Sequence, residues 1–147
     1  MSDEAAQDGT QDQGPRPHVL DIARATLAND TYRTAVWTGS HLQLTVMSIE
    51  PGGDIGLEAH PDRDQFLRVE AGRGRVRMGP APDRLTFDRE VGDDWAVLVP
   101  AGSWHDVTNI GQEPLKLYSL YAAPEHPHGT VHVSKADADA VEHDHEP

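Results

Sequence analysis

The sequence predicts an all-β fold, an antiparallel sandwich or barrel, preceded by one short helix. Three observations carry this expectation. From Thr34 onward, short runs rich in β-branched, aromatic and aliphatic residues follow one another at even spacing. Turn-forming clusters separate them, among them Pro51-Gly52-Gly53, Pro61-Asp62, Gly79-Pro80, Gly92-Asp93-Asp94 and Pro100-Ala101-Gly102. Runs such as LQLTVMSI alternate in polarity, as a strand buried on one face should.

Taken in order, the first element is a helix over Asp21–Asn29. Asp21 is placed to cap it, Ile22 and Leu27 to share a face, and Asn29 to end it. The strands then read TAVWTG, HLQLTVMSI, DIGLEA, QFLRVEA, GRVRMG, RLTFDR, WAVLVP, WHDVTNI and LKLYSLY. WAVLVP is apolar throughout, which predicts cover on both faces. Arg73, Arg75 and Arg77 alternate onto one sheet face, where a neighbouring acidic strand can pair with them.

The 147 residues suit one domain. The first 17, MSDEAAQDGTQDQGPRP, contain almost no large apolar side chain and are expected to be disordered. The acidic stretch 136–147 is expected to start as a helical turn and then fray, leaving a folded domain over 18–135. The formal net charge is −13, which opposes binding to nucleic acid or to an anionic membrane surface. There is no cysteine, so disulfides, thiolate nucleophiles and cysteine-type zinc sites are excluded. With no apolar signal core and no run of transmembrane length, the expected location is the cytoplasm.

Chemistry gathers in two stretches. In GLEAHPDRDQF, Glu58 and His60 stand two residues apart and so point to one face of a strand. Pro61-Asp62 turns the chain, and a hairpin there brings Gln65 back beside them. In PAGSWHDVTN, a Pro-Gly turn is followed by His105 at the start of the next strand. Carboxylate, imidazole and carboxamide donors converging on one interior suit a divalent metal, and two His with one carboxylate is the ligand set of many non-haem iron sites. The alternatives are surface polarity and a metal-free polar pocket. His126, His128 and His132, in the loop APEHPHGTVH, read as cover for one barrel end or as a subunit contact rather than a second metal site.

These residues make the chain resemble a cupin, a small double-stranded β-helix barrel related to the jelly rolls. Gly92, Pro100, Gly102, His105 and Asn109 match the second cupin motif, with a slightly long spacer before Pro100. Gly52, His60 and Gly72 fall in register with the first motif. Two positions depart from it, since Glu58 replaces the first His and Gln65 the Glu. The carboxylate has moved while the formal charge of the ligand set stays the same. The stretch GLEAHPDRDQF further resembles small single-domain cupins often labelled mannose-6-phosphate-isomerase-like; in true phosphomannose isomerases the Gln and Glu positions are swapped relative to this chain. The resemblance implies a metal (Fe, Mn, Ni or Zn) held by Glu58, His60, Gln65 and His105, with Gln65 either a ligand or a hydrogen-bond partner of a metal-bound water. It implies a small-molecule ligand or substrate and a homodimer. The expected function is a metal-dependent enzyme on a small oxygenated substrate, an oxygenase, isomerase or lyase; the alternative is a non-catalytic binding or structural module.

Overall fold

The computed structural model describes residues 11–144. Nine strands and two helices follow in chain order: α1 (Ile22–Ala28), β1 (Arg33–Thr38), β2 (Gln43–Ile49), β3 (Asp64–Ala71), β4 (Gly74–Gly79), β5 (Phe87–Val91), β6 (Ala96–Val99), β7 (Trp104–Asn109), β8 (Leu115–Ala122), β9 (Val131–His132) and α2 (Lys135–Asp144). The strands form two antiparallel sheets, one ordered β6-β3-β8-β2-β1-β9 and the other β5-β4-β7. The alternating runs predict such antiparallel packing, and the arrangement is the double-stranded β-helix that the resemblance implies.

Register explains the interior. Gln43, Tyr121, Gln65 and Val99 form one cross-strand row through β2, β8, β3 and β6. Thr45, Ser119, Leu67 and Val97 form the next, and Met47, Leu117 and Val69 the third. Because side chains alternate, all three rows share the face turned toward the second sheet, which contributes Val76, Met78, Val91 and Val107 to the same core. The interior is thus polar at one end and aliphatic at the other. Leu67, Leu115 and Leu117 are essentially fully buried, and burial stabilises each by about 1.5–3 kcal/mol.

Several expectations are corrected. DIGLEA forms no regular strand; only Asp54 and Glu58 bridge to β7, opposite Thr108 and His105. The five residues Asp54–Glu58 span the four residues His105–Thr108, so the segment carries a bulge. Gly56 lies inside it with φ 88°, a conformation that residues with a Cβ rarely adopt. WAVLVP is not covered on both faces: Val97 and Val99 are buried, but Leu98 is 69% exposed, because β6 is the edge of its sheet. In α1 the buried residues are Ala25 and Thr26, while Leu27 faces solvent. Asp21 caps the helix as expected, accepting from the Arg24 N–H.

The termini pack more than their composition suggests. Asp12, within the stretch expected to be disordered, is buried and accepts from Gly14 N, Thr38 N, Thr38 Oγ1 and Gly129 N. Residues 1–10 lie outside the described part of the chain, as do 145–147. Helix α2 runs ten residues instead of one turn, and Ala138 on it is buried in the main core. The arginine face behaves as the alternation predicts, with Arg73 paired to Glu90 at 2.8 Å and Arg75 to Asp88 at 2.6 Å.

Candidate metal centre

The bulged segment lies along the free edge of β7. Glu58 N–H donates to the His105 carbonyl at 3.1 Å, and His105 N–H returns a bond to the Glu58 carbonyl at 2.9 Å. Residues paired this way present their side chains on the same side. Two residues on, the His60 carbonyl accepts from Gly102 N–H at 2.8 Å, so the Pro-Gly turn before β7 holds His60 in place. Gly102 has φ 84°, which that turn requires.

The result is a compact cluster. Glu58 Oε2 lies 3.6 Å from His60 Nε2 and 4.0 Å from His105 Nε2. One ligand atom from each of Glu58, His60 and His105 lies within 4.8 Å of the others. His60 and His105 are buried and Glu58 is half-buried.

Neighbouring groups orient the rings. His105 Nδ1 lies 3.1 Å from the Ser103 carbonyl, which can only accept. The ring proton therefore sits on Nδ1 and the Nε2 lone pair faces Glu58. His60 Nδ1 faces Glu125 Oε1 at 3.4 Å, and Arg63 holds that carboxylate at 3.1 Å. Arg63 also donates to the Pro124 carbonyl.

Burial pushes the Glu58 carboxyl up, but the imidazoles of His60 and His105 and the Arg33 guanidinium outweigh it and hold the group below the usual carboxylate range. Burial lowers His60, and the charges of Glu58 and Glu125 more than offset this, so the ring ends above its ordinary value. The 3.6 Å separation is too long for a hydrogen bond, and this coupling is electrostatic. His105 is pushed down, chiefly by burial.

These residues fit a cation. The Nε2 atoms of His60 and His105 are buried with no hydrogen-bond partner, and both lie beside an ionised carboxylate. Buried polar atoms normally find partners. Two lone pairs and one carboxylate oxygen aimed at a common point are what a divalent ion uses. Gln65 lies on the interior wall on β3, in register with Tyr121 and Val99. Its Nε2 donates to Ser119 Oγ at 3.4 Å, and its Oε1 is buried without a partner.

Sequence reasoning missed Glu125, Tyr121 and Arg33. Tyr121 is fully buried with its ring 5.9 Å from that of His60, and its hydroxyl is pushed up to about 12 by burial. Glu125 belongs to the loop that carries His126. That loop packs against the barrel through His126, whose ring lies 5.3 Å from that of Tyr121. Gln43 clamps it, donating to the His126 carbonyl at 2.8 Å and accepting from the N–H groups of Glu125 and His126. The only signal for Glu125 was its place two residues after Ala123 in a loop following a long strand, which carries no chemistry by itself.

A Cupin domain family model matches residues 45–121, the span that carries β2 to β8 and the cluster. The chain belongs to the cupin family. This cupin is 61% identical over 132 residues to the uncharacterized protein YrkC of Bacillus subtilis (strain 168), covering 90% of this chain and 71% of YrkC. It is 35% identical over 119 residues to the uncharacterized protein L612 of Acanthamoeba polyphaga mimivirus, covering 80% and 72% of the two chains. Among solved structures, BH2720 from Bacillus halodurans superposes with a TM-score of 0.88 at 61% identity, covering 88% of this cupin and 98% of that chain. No helix among the described residues is long and apolar enough to cross a membrane.

Proposed function

We propose that this cupin holds one divalent transition metal through Glu58, His60 and His105, and acts as a metal-dependent enzyme on a small oxygenated molecule. The observation that carries the reading is the pair of buried, unpartnered Nε2 atoms beside the Glu58 carboxylate. Gln65 completes the set as a neutral oxygen donor, directly or through water; its unpaired Oε1 supports this role.

A metal so held supplies Lewis acidity, or redox chemistry if it is iron or manganese. The chain's own residues do the rest. Glu58, as a ligand, is unavailable as a base. Glu125 keeps the His60 proton on Nδ1 and so keeps Nε2 free for the metal. Tyr121 stays a neutral hydroxyl at ordinary pH, able to hydrogen-bond a bound molecule. The loop clamped by Gln43 shields the interior from bulk water.

The protein is further proposed to be a homodimer. Support comes from the edge strands β5 and β6, where Phe87, Trp95 and Leu98 stand exposed around a groove of about 330 Å³. A monomer in light scattering overturns this part.

The central test is elemental analysis of untagged protein, with His105→Ala and Glu58→Ala alongside. About one transition metal per chain, lost in both variants, supports the centre. No metal, even after reconstitution with iron, manganese, nickel and zinc, overturns it. Oxygen uptake then separates an oxygenase from an isomerase or lyase.

A further inference from the structure

Arg33 is 2% exposed and forms no ion pair among the described residues. Burying a guanidinium without a counter-charge is unfavourable unless something compensates. The partners it does have are neutral. Its Nη1 lies 3.2 Å from His132 Nδ1; a guanidinium only donates, so the imidazole accepts there and is uncharged. Its Cζ stands 5.2 Å from the centre of the Tyr32 ring. Its Nε is buried with no partner at all.

Register shows where this charge lies. Arg33 is paired across the sheet with Met47 on one side and His132 on the other, and Met47 belongs to the innermost core. The side chain is therefore inside the barrel. A chain of contacts joins it to the metal cluster. The His132 ring lies 6.3 Å from His126, His126 lies 5.3 Å from Tyr121, and Tyr121 lies 5.9 Å from His60. Its charge is near enough to act on Glu58 and Tyr121. The interior thus has two poles, the Glu58–His60–His105 cluster and a fixed cation lacking its partner.

We propose that Arg33 is the counter-ion for the ligand of this cupin, and that the ligand is a small organic carboxylate. Its anionic group sits on the Nε side of the guanidinium, and its remaining oxygens turn toward the cluster. The inference rests on the reading of that cluster as the ligand's second anchor. A carboxylate is favoured over a phosphate by charge and shape. The unpaired Nε edge of the Arg33 guanidinium matches two carboxylate oxygens in a planar fork. One positive charge balances a carboxylate, whereas a phosphate dianion would face Glu58 and Glu125 with a charge left over. Arg63, the arginine that reaches Glu125, is already paired with Asp62 and Glu125.

Calorimetric titration of the protein with its purified metal content tests this, using lactate, pyruvate, propane-1,2-diol and inorganic phosphate as probes. The diol matches lactate without the carboxylate. At least one of lactate and pyruvate is expected to bind about tenfold or more tightly than the diol and phosphate. Arg33→Met is expected to lose that preference with metal content unchanged. It is also expected to melt no lower than the wild type, since it removes an unpaired buried charge. Arg33→Lys should keep part of the preference, which decides the matter if Arg33→Met does not fold. Equal binding of the diol or phosphate, undiminished carboxylate binding in Arg33→Met, or no carboxylate binding to a chain that holds its metal overturns the proposal. Arg33-dependent carboxylate binding in a chain that holds no metal overturns the metal reading and leaves the carboxylate site standing.

Discussion

Glu125 touches His60 Nδ1 across 3.4 Å and is itself held by Arg63, so its effect on a metal would pass entirely through the orientation of one ring. Glu125→Gln keeps the shape but removes the charge. It is expected to weaken metal affinity by about 10- to 100-fold, read by competition with a chelator, with little change in melting temperature. His126 offers a second residue-scale expectation. Its Nε2 is buried without a partner, and burial, with Arg33 and His132 adding to it, pushes the ring down to about 2. In the unfolded chain the ring takes a proton near its ordinary value of 6.5, but in the folded chain it does not. Stability from this group is therefore complete above pH 6.5 and is lost as pH falls toward 2, by at most about 1.4 kcal/mol per pH unit. His126→Phe should flatten the dependence of urea unfolding on pH between 6.5 and 5. His105 and His132 are lowered as well and His60 is raised, so the difference between the two proteins is the quantity to measure.

At the scale of the element, the bulge before His60 is the part with most leverage. Gly56 has φ 88°, and a Cβ built there would meet only Lys135 Nζ at 3.9 Å. Space is available and conformation is the obstacle. Gly56→Ala is expected to cost about 1–2 kcal/mol through left-handed strain and to lower metal affinity by turning Glu58 away from His105. If affinity is unchanged, the bulge does not aim Glu58. The N-terminal segment is a second such element. Burial pushes Asp12 up, yet hydrogen bonds from Thr38, Gly129 and Gly14 hold it below the usual carboxylate range. Asp12→Ala leaves those donors without their partner and should cost about 2–4 kcal/mol in urea unfolding. The contact also ties β1, which carries Arg33, to the loop that carries Glu125 and His126.

At the scale of the whole molecule, the two sheets close over one interior whose polar and apolar ends are set by register. A metal bound only by the folded chain adds its binding free energy to stability. Removing it with a chelator is expected to lower the melting temperature, and adding back the metal found by elemental analysis should restore it. With free metal at a hundred times the dissociation constant, the gain is about 2.7 kcal/mol. A melting temperature indifferent to chelation would mean that no metal contributes to the fold.

The fold was legible in the sequence because its signals are local. Alternating polarity and Pro/Gly punctuation declare strands and turns residue by residue, and the spacing around His60 and His105 placed both beside Glu58. Arg73, Arg75 and Arg77 likewise announced their face. Where tertiary context overrules local pattern, the sequence misled. WAVLVP looks doubly covered, but strand order puts it at an edge. DIGLEA looks like a strand, but Gly56 bulges it against β7. Asp12 lies in a stretch too polar to build a core, yet four hydrogen bonds from three separate parts of the chain bury it. By itself the sequence determined the class of fold and three of the residues that converge. The tertiary structure alone decided that Arg33, Tyr121 and Glu125 share their interior, because contacts such as that of Arg33 with His132, 99 positions apart, depend on which strands pair and in what register.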